Sequence, residues 1–412
     1  MRTLIRKYKR LQKEYTRIYE RDFFKSLESE HKIVGITGNR GIGKTTYLFY
    51  YLNKYYSASD QALYVSMDDI YFSKNSLIEL VEKFIDEYDG KVICIDEIHR
   101  YPGWAQELKN IYDEYHKKIK IIFSGSSATD LIKQKYDLSR RATLKIMPGF
   151  SFREYLEFRQ NVKLPILSLK NVVENRTRID DKILSVRKIS GLFKEYLRIG
   201  YYPIFSEFKN EESVFDALSG IIDKMINIDI ATYYSLKTET LPVFKKILYF
   251  IFTSSPGSIN ISKLSNSLDK SFPDTSRYIE MARESGLIRY LLNNKTGHSM
   301  IRNAEKVYLN DTNMAYALSN SIGKEVDSGS ARELFAINQL QSAGYTVFSA
   351  DSGDMAVTEK KSIFGKKYVF EIGGKNKDTK QIKNIKNSFL VLDNILHGDK
   401  YSIPLYLLGF LY

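Results

Sequence analysis

The chain has 412 residues, 43% hydrophobic and 27% charged, with one cysteine, five histidines and a formal net charge of +13. This is the composition of a globular protein too long for one ordinary core, so two or three domains are expected; a disordered or fibrous chain, a disulfide framework and a cysteine-based zinc site are excluded. No run approaches the ~20 apolar residues of a membrane span, and no signal-peptide core opens the sequence, so a cytoplasmic protein with no membrane contact is expected. The basic excess suits a polyanionic partner, or else reflects the lysine- and tyrosine-rich coding of an AT-rich genome, and composition does not separate the two.

Residues 1–30 read as a charged amphipathic helix, with Leu4, Tyr8, Leu11, Tyr15 and Ile18 on one stripe. Residues 31–150 alternate apolar, β-branched runs with helical stretches: HKIVGITG, YLFYYLNKYY, ALYVSM, SLIELVEKFIDEY, KVICID, WAQELKNIYDEYHKK and IKIIFSGS. That order predicts an α/β domain, a parallel sheet with helices on both faces. Cys94 lies inside one of the apolar runs, as a small buried hydrophobe does.

The joint between the first strand and its helix reads GNRGIGKTT, Gly38, Asn39, Arg40, Gly41, Ile42, Gly43, Lys44, Thr45 and Thr46. Glycine, four residues, glycine, lysine and a hydroxyl residue form the phosphate-loop pattern, and a helix N-terminus at that place supplies free N–H groups and a favourable dipole. Glycine lets the backbone approach the phosphates, Lys44 reaches the β and γ oxygens, and Thr45 is the magnesium ligand. The strand VICIDE delivers Asp96 and Glu97 to the carboxyl edge of the sheet, where ligands bind in open α/β folds. Asp96 is expected to serve magnesium and Glu97 the attacking water.

The following strand ends in Ser124, Gly125 and Ser126, where a hydroxyl either senses the γ-phosphate or simply ends the strand in a turn. In DLSRRATLK, Arg140 or Arg141 is a candidate arginine finger on a neighbouring subunit's nucleotide, which requires a homo-oligomer; a solvated pair is the alternative.

Residues 151–255 read as helical. Residues 256–300 read as helix, turn, helix and hairpin, like a winged helix; there Lys270, Arg277 and Arg283, with Arg289 and Lys295 on the hairpin, are candidate DNA contacts, although such modules also contact proteins. Residues 301–412 mix helices and strands in a small α+β unit.

The segments GNRGIGKTT, YVSMDD, VICIDEIHRYPGWAQELKNIYD, IIFSGSSATDL, LSRRATLKIMPGFSFREYL and YLRIGYYP together resemble the prokaryotic AAA-type ATPases that carry an uncharacterised C-terminal domain and lie near the archaeal ATPases. The resemblance extends over essentially the whole chain, less specifically in KVYLNDTNMAYAL, ARELFAINQL and YVFEIGGKNK. It implies ATP as the nucleotide, since the phosphate motifs read only phosphate and magnesium, and it makes Arg141 the better finger: the family's loop has a glycine where Arg140 stands. It also implies a C-terminal region like the restriction endonucleases, with Glu333, Asp354 and Glu371 as the acids. The lysine of that pattern stands two residues after the acid, whereas Lys375 lies four after Glu371, which points to a degenerate domain. The expected function is magnesium-dependent ATP hydrolysis coupled to the C-terminal modules. The alternatives are a nucleotide-gated DNA-binding regulator with slow turnover and an ATP-licensed nuclease.

Overall fold

The computed structural model describes residues 1–28, 30–57, 59–125, 138, 140–254, 260–293, 304–358 and 366–412. It divides into two compact units, Met1–Gly149 and Phe150–Tyr412. Among the described residues no helix is long and apolar enough to cross a membrane.

The first unit is built on five strands, β1 (Ile33–Thr37), β2 (Ala62–Ser66), β3 (Val92–Asp96), β4 (Lys120–Gly125) and β5 (Ala142–Ile146), in the order β2-β3-β4-β1-β5. All the pairings are parallel. β1, β3 and nearly all of β4 are buried, because helices cover both faces and leave no solvated side for polar residues to occupy. On one face lies α3 (Lys44–Tyr56), whose Phe49 ring is 4.5 Å from that of Tyr64. On the other lies α5 (Trp104–Tyr115), with Trp104 5.6 Å from Phe123, and α4 (Leu77–Tyr88) packs beside α5. Strand alternation puts Tyr64, Cys94, Asp96 and Ser124 on the α3 face. Cys94 is fully buried there, as its apolar run predicted.

The N-terminal stretch is two helices rather than one, α1 (Arg2–Glu14) and α2 (Asp22–Leu27). The stripe continues past the break because tertiary contacts take it over: Tyr15 stacks on Phe49 at 4.3 Å, and its carbonyl accepts from Asn53 Nδ2 at 2.7 Å.

The second unit opens with helices, among them Phe152–Gln160, Glu211–Lys224 and Pro242–Thr253. Asn313 braces the turn at residues 196–201: its Oδ1 accepts from Tyr201 N at 2.7 Å and its Nδ2 donates to the carbonyls of Tyr196 and Leu197. The unit also holds a seven-stranded mixed sheet of β6 (Ile288–Asn293), β7 (Ala304–Leu309), β8 (Thr346–Ser349), β9 (Met355–Thr358), β10 (Tyr368–Gly373), β11 (Ser388–Leu392) and β12 (Ser402–Pro404). Its order is β12-β11-β10-β9-β8-β6-β7. Of the hairpin expected within residues 256–300, the structure shows β6; its antiparallel partner is β7, beyond residue 300, and β6 also pairs in parallel with β8, so one sheet runs across the boundary expected there.

Candidate functional site

The three segments singled out at the strand ends meet at one edge of the first sheet. Register aligns Ile36 with Ser124 and Ser66 with Asp96, so the carboxyl ends of β1, β3 and β4 deliver the glycine loop, the two acids and Ser124 side by side. The loop's glycines are there for stated reasons. At Gly38 a Cβ would fall 2.4 Å from Ile42 Cδ1 and 2.5 Å from the Met147 carbonyl oxygen. At Gly43 space is open, but φ is +96°, in the left-handed region that side chains resist, and from there the chain enters α3. Lys44, buried in the first turn of α3, folds back and donates to the carbonyls of Gly38 and Asn39, both at 2.8 Å.

Asp96 is the hub. Its Oδ2 accepts from Thr45 Oγ1 at 2.7 Å and from the Tyr64 hydroxyl at 2.9 Å. Its Oδ1 accepts from the Ser124 hydroxyl and, at 3.2 Å, from the Glu97 amide, which also lies 3.3 Å from Ser124 Oγ. The four donors satisfy both oxygens of this buried carboxylate. Glu97 follows with φ of +52°, a conformation that turns the chain sharply away from the strand. Its carboxylate lies between Arg40 of the glycine loop, Nη1 to Oε1 3.9 Å, and His99, Nε2 to Oε2 3.3 Å.

Thr46 follows in the first turn of α3, half-buried. Ser126 lies outside the described residues. Arg141 is not brought to this edge. It immediately precedes β5, whose Ala142 is aligned with Ile33 at the start of β1, so it sits at the opposite edge of the sheet from its own glycine loop. It forks onto Asp113, Nε to Oδ1 2.8 Å and Nη2 to Oδ2 3.1 Å. Arg140 is exposed in the turn before it.

Two residues to which the sequence analysis gives no role are built into the site. Tyr64 is one; its signal in the sequence is a tyrosine on the α3-facing alternation of an otherwise aliphatic strand. Arg21 is the other. It is 2% exposed, and its guanidinium donates to the carbonyls of Pro148 at 2.9 Å and Gly149 at 2.8 Å and reaches that of Ile42 at 3.5 Å. It thereby ties the glycine loop to the segment after β5.

In the second unit the acids expected by resemblance also approach one another, but with different lysines. Tyr308 donates to Glu333 Oε2 at 2.5 Å, and Lys306 lies 3.5 Å from Glu333 and 3.8 Å from Asp354. Asp354 Oδ2 accepts from the Ile372 amide at 2.7 Å. The lysine that reaches Glu371 is Lys377, at 2.5 Å, and not Lys375, which is exposed; a turn closed by the Lys377 amide on the Gly374 carbonyl carries it back. Among the described residues no group of three acidic, histidine or cysteine side chains converges as a metal-holding set. Of the candidate DNA contacts, Lys270 and Arg277 are exposed. Arg283 is engaged by Glu280, and Arg289 by Gln341 and Asn310. Lys295 lies outside the described residues.

The loop and hub fit a magnesium-bound nucleoside triphosphate. A cradle kept open by glycine, a buried ammonium and a hydroxyl beside a carboxylate offer phosphate donors and hard oxygen ligands, and magnesium takes few of the latter from protein.

Residues 30–156 match a family described as an AAA domain, and residues 190–325 match a domain of unknown function (DUF8612). An uncharacterized protein of Methanocaldococcus jannaschii is 26% identical over 403 residues, covering 92% of this chain and 83% of the relative. Among solved structures, the Aeropyrum pernix Orc1 protein in complex with DNA aligns at 16% identity over 71% of this chain and 87% of its own, with a TM-score of 0.30. AMPPCP-bound DnaA from Aquifex aeolicus aligns at 17% identity over 66% and 86%, with a TM-score of 0.26. Values this low carry nothing from those proteins to this one.

Proposed function

We propose that the protein binds ATP with Mg2+ and hydrolyses it, coupling nucleotide state to its second unit, on the premise that residues 30–156, which match an AAA-domain family, act as a P-loop domain of that type. The observation that supports this most is the 2.7 Å hydrogen bond between Thr45 and Asp96, which sets a hydroxyl from the loop's helix against a carboxylate from β3. On binding, the β and γ oxygens take over the Lys44 ammonium from the Gly38 and Asn39 carbonyls, and the amides of residues 41–45 close on the phosphates. Thr45 and Asp96 are the residues that would hold the magnesium, which neutralises charge on the phosphate oxygens. Glu97 orients a water and accepts its proton as oxygen adds to the γ-phosphorus and the bond to the departing ADP breaks. Ser124 keeps Asp96 turned toward Thr45. Arg141 can act only on a neighbouring subunit's nucleotide, because its own loop is at the far edge of the sheet.

A nucleotide-gated DNA-binding regulator is the second reading. It is favoured by Lys270, exposed in the turn between the two helices before β6, and Arg277, exposed on the second of them. The deciding experiment measures ATP turnover and ATP affinity in parallel for the parent chain, Glu97→Gln and Lys44→Ala. Glu97→Gln is expected to bind ATP and lose turnover by at least about 100-fold, and Lys44→Ala to lose binding. Normal hydrolysis by Glu97→Gln removes Glu97 as the base; ATP binding without any turnover in the parent leaves the regulator.

A further inference from the structure

Away from the glycine loop, α1 carries an unbalanced charge. Six of its thirteen residues, Arg2, Arg6, Lys7, Lys9, Arg10 and Lys13, are basic, and Glu14 is its one acid. At 3.6 residues per turn, Arg2, Arg6, Lys9, Arg10 and Lys13 fall within an arc of about 100° and extend over about 16 Å of axis. Two lysines are engaged by the domain, Lys7 by Asp69 at 2.7 Å and Lys9 by Asp60 at 2.5 Å. Arg2, Arg6, Arg10 and Lys13 are exposed and have no side-chain partner among the described residues. They line an open groove of about 700 Å3 whose other wall includes Tyr88.

We propose that this groove is a sequence-independent binding site for the phosphodiester backbone of a nucleic acid, carried by the nucleotide-binding unit itself and separate from the helices around Lys270 and Arg277. Three of the four unpaired cations are arginines, whose planar forks match phosphate oxygens. Their i, i+4 spacing repeats about every 6 Å, along a span that on a duplex faces on the order of ten phosphate charges. A lipid surface fits less well: Leu4 and Tyr8 of α1 are only 3% and 2% exposed and Ile5 and Leu11 are half-buried, so little apolar surface remains for acyl chains. Ile5 and Tyr88 give the groove some apolar surface, but its charge comes from Arg2, Arg6, Lys9, Arg10 and Lys13 against Asp60, so a protein partner would have to be strongly acidic, whereas a phosphodiester backbone carries that charge at every nucleotide. Tyr88, half-buried, adds a ring and a hydroxyl beside the backbone path.

The test is fluorescence anisotropy of the full chain with labelled random-sequence duplex DNA, duplex RNA and single strands between about 50 and about 200 mM salt. The variant joins Arg2→Ser, Arg6→Ser and Arg10→Ser. A control of equal charge joins Lys117→Ser, Lys118→Ser and Lys386→Ser. The proposal expects the arginine variant to bind at least about 10-fold more weakly, with a salt slope lower by about 2 to 3, while the control stays within about twofold of the parent. Which of the three strands gives the steepest salt dependence identifies the source of the backbone. Unchanged binding by the arginine variant, an equal loss in the control, or binding by the parent to phosphatidylserine vesicles but not to nucleic acid overturns it. ATP affinity, measured on the same samples, reports that the variant is folded and keeps this result distinct from any failure of the hydrolysis reading. Should the triple variant not fold, Arg10→Glu alone is expected to weaken binding in the same direction, and parent-like binding by it counts against the site.

Discussion

Tyr64 donates to Oδ2 of Asp96 at 2.9 Å from the neighbouring strand, sharing with Thr45 the one carboxylate oxygen that the glycine loop reaches. Burial first, and the Asp96 charge second, push the Tyr64 hydroxyl far above its ordinary range, so it remains a donor. It therefore fixes the direction in which Asp96 points without itself meeting a nucleotide.

Tyr64→Phe keeps the ring against Phe49 and deletes that donor. The concentration of Mg2+ giving half-maximal ATP turnover is expected to rise on the order of tenfold, while ATP affinity measured without magnesium does not move. A titration superimposable on the parent's leaves Tyr64 as core packing alone.

Arg21→Ala strands the carbonyls of Pro148 and Gly149 inside the first unit. The expected cost is about 3 kcal/mol or more, read as a lower unfolding midpoint in urea through the fluorescence of Trp104, the chain's one tryptophan. Arg21→Lys is expected to recover little, because Arg21 serves Pro148 and Gly149 from two separate nitrogens, whereas an ammonium carries its three donors on one atom. Full recovery by lysine makes charge, not geometry, the relevant property.

Arg141→Ala separates two roles. If Arg141 completes a neighbour's site, ATP affinity is unchanged and the part of the activity that rises with protein concentration disappears. Asp113→Ala, which frees the same guanidinium, then preserves or raises that part. If the pair only fastens α5 to the start of β5, both variants behave alike at every concentration.

Asp311 gives a pH dependence. Burial raises its carboxyl above the usual range, against the opposing pull of donors from Met314 and Tyr202. Glu333 and Glu371 are raised as well, again chiefly by burial. As pH climbs through the ordinary carboxylate values near about 4, the unfolded chain releases these protons before the folded one, so their contribution falls with rising pH until the raised values are passed. Hydrogen exchange of peptides covering residues 307–322, corrected for intrinsic rates, is expected to show less protection near pH ~7 than near pH ~4, where the unfolded chain still holds the proton. Asp311→Asn is expected to flatten that difference; an unaltered slope assigns it to other groups.

What could be read from the residues was what short-range physics imposes. The glycine loop, the strand that ends in Asp96 and Glu97, and the alternation of buried runs with helices are local patterns, and α3 does begin at Lys44 as the motif requires. Tyr64 and Arg21 were not legible in that way. Tyr64 meets Asp96 only because β2 and β3 are neighbours in a particular register, and Arg21 is one of many basic residues in a basic stretch until the chain leaves α1 and turns it inward. Lys377 was missed for a related reason: a turn after Gly374, not strand alternation, decides which lysine returns to Glu371. The strand β6 was legible; its partner β7 lies beyond the bounds expected for the hairpin, and the attachment of β6 to β8 was not legible, since that pairing joins residues more than fifty positions apart.

That attachment limits how the chain can be cut or recombined. A fragment ending near residue 300 would keep β6 without β7 and β8, and one starting there would expose the β8 edge to any other chain with a free strand, a route to aggregation. The helix pair of residues 261–284 and the sheet that follows therefore belong in one fragment, and exchange of the β6–β7 region with a relative is expected to leave a folded chain only where β8 travels with it.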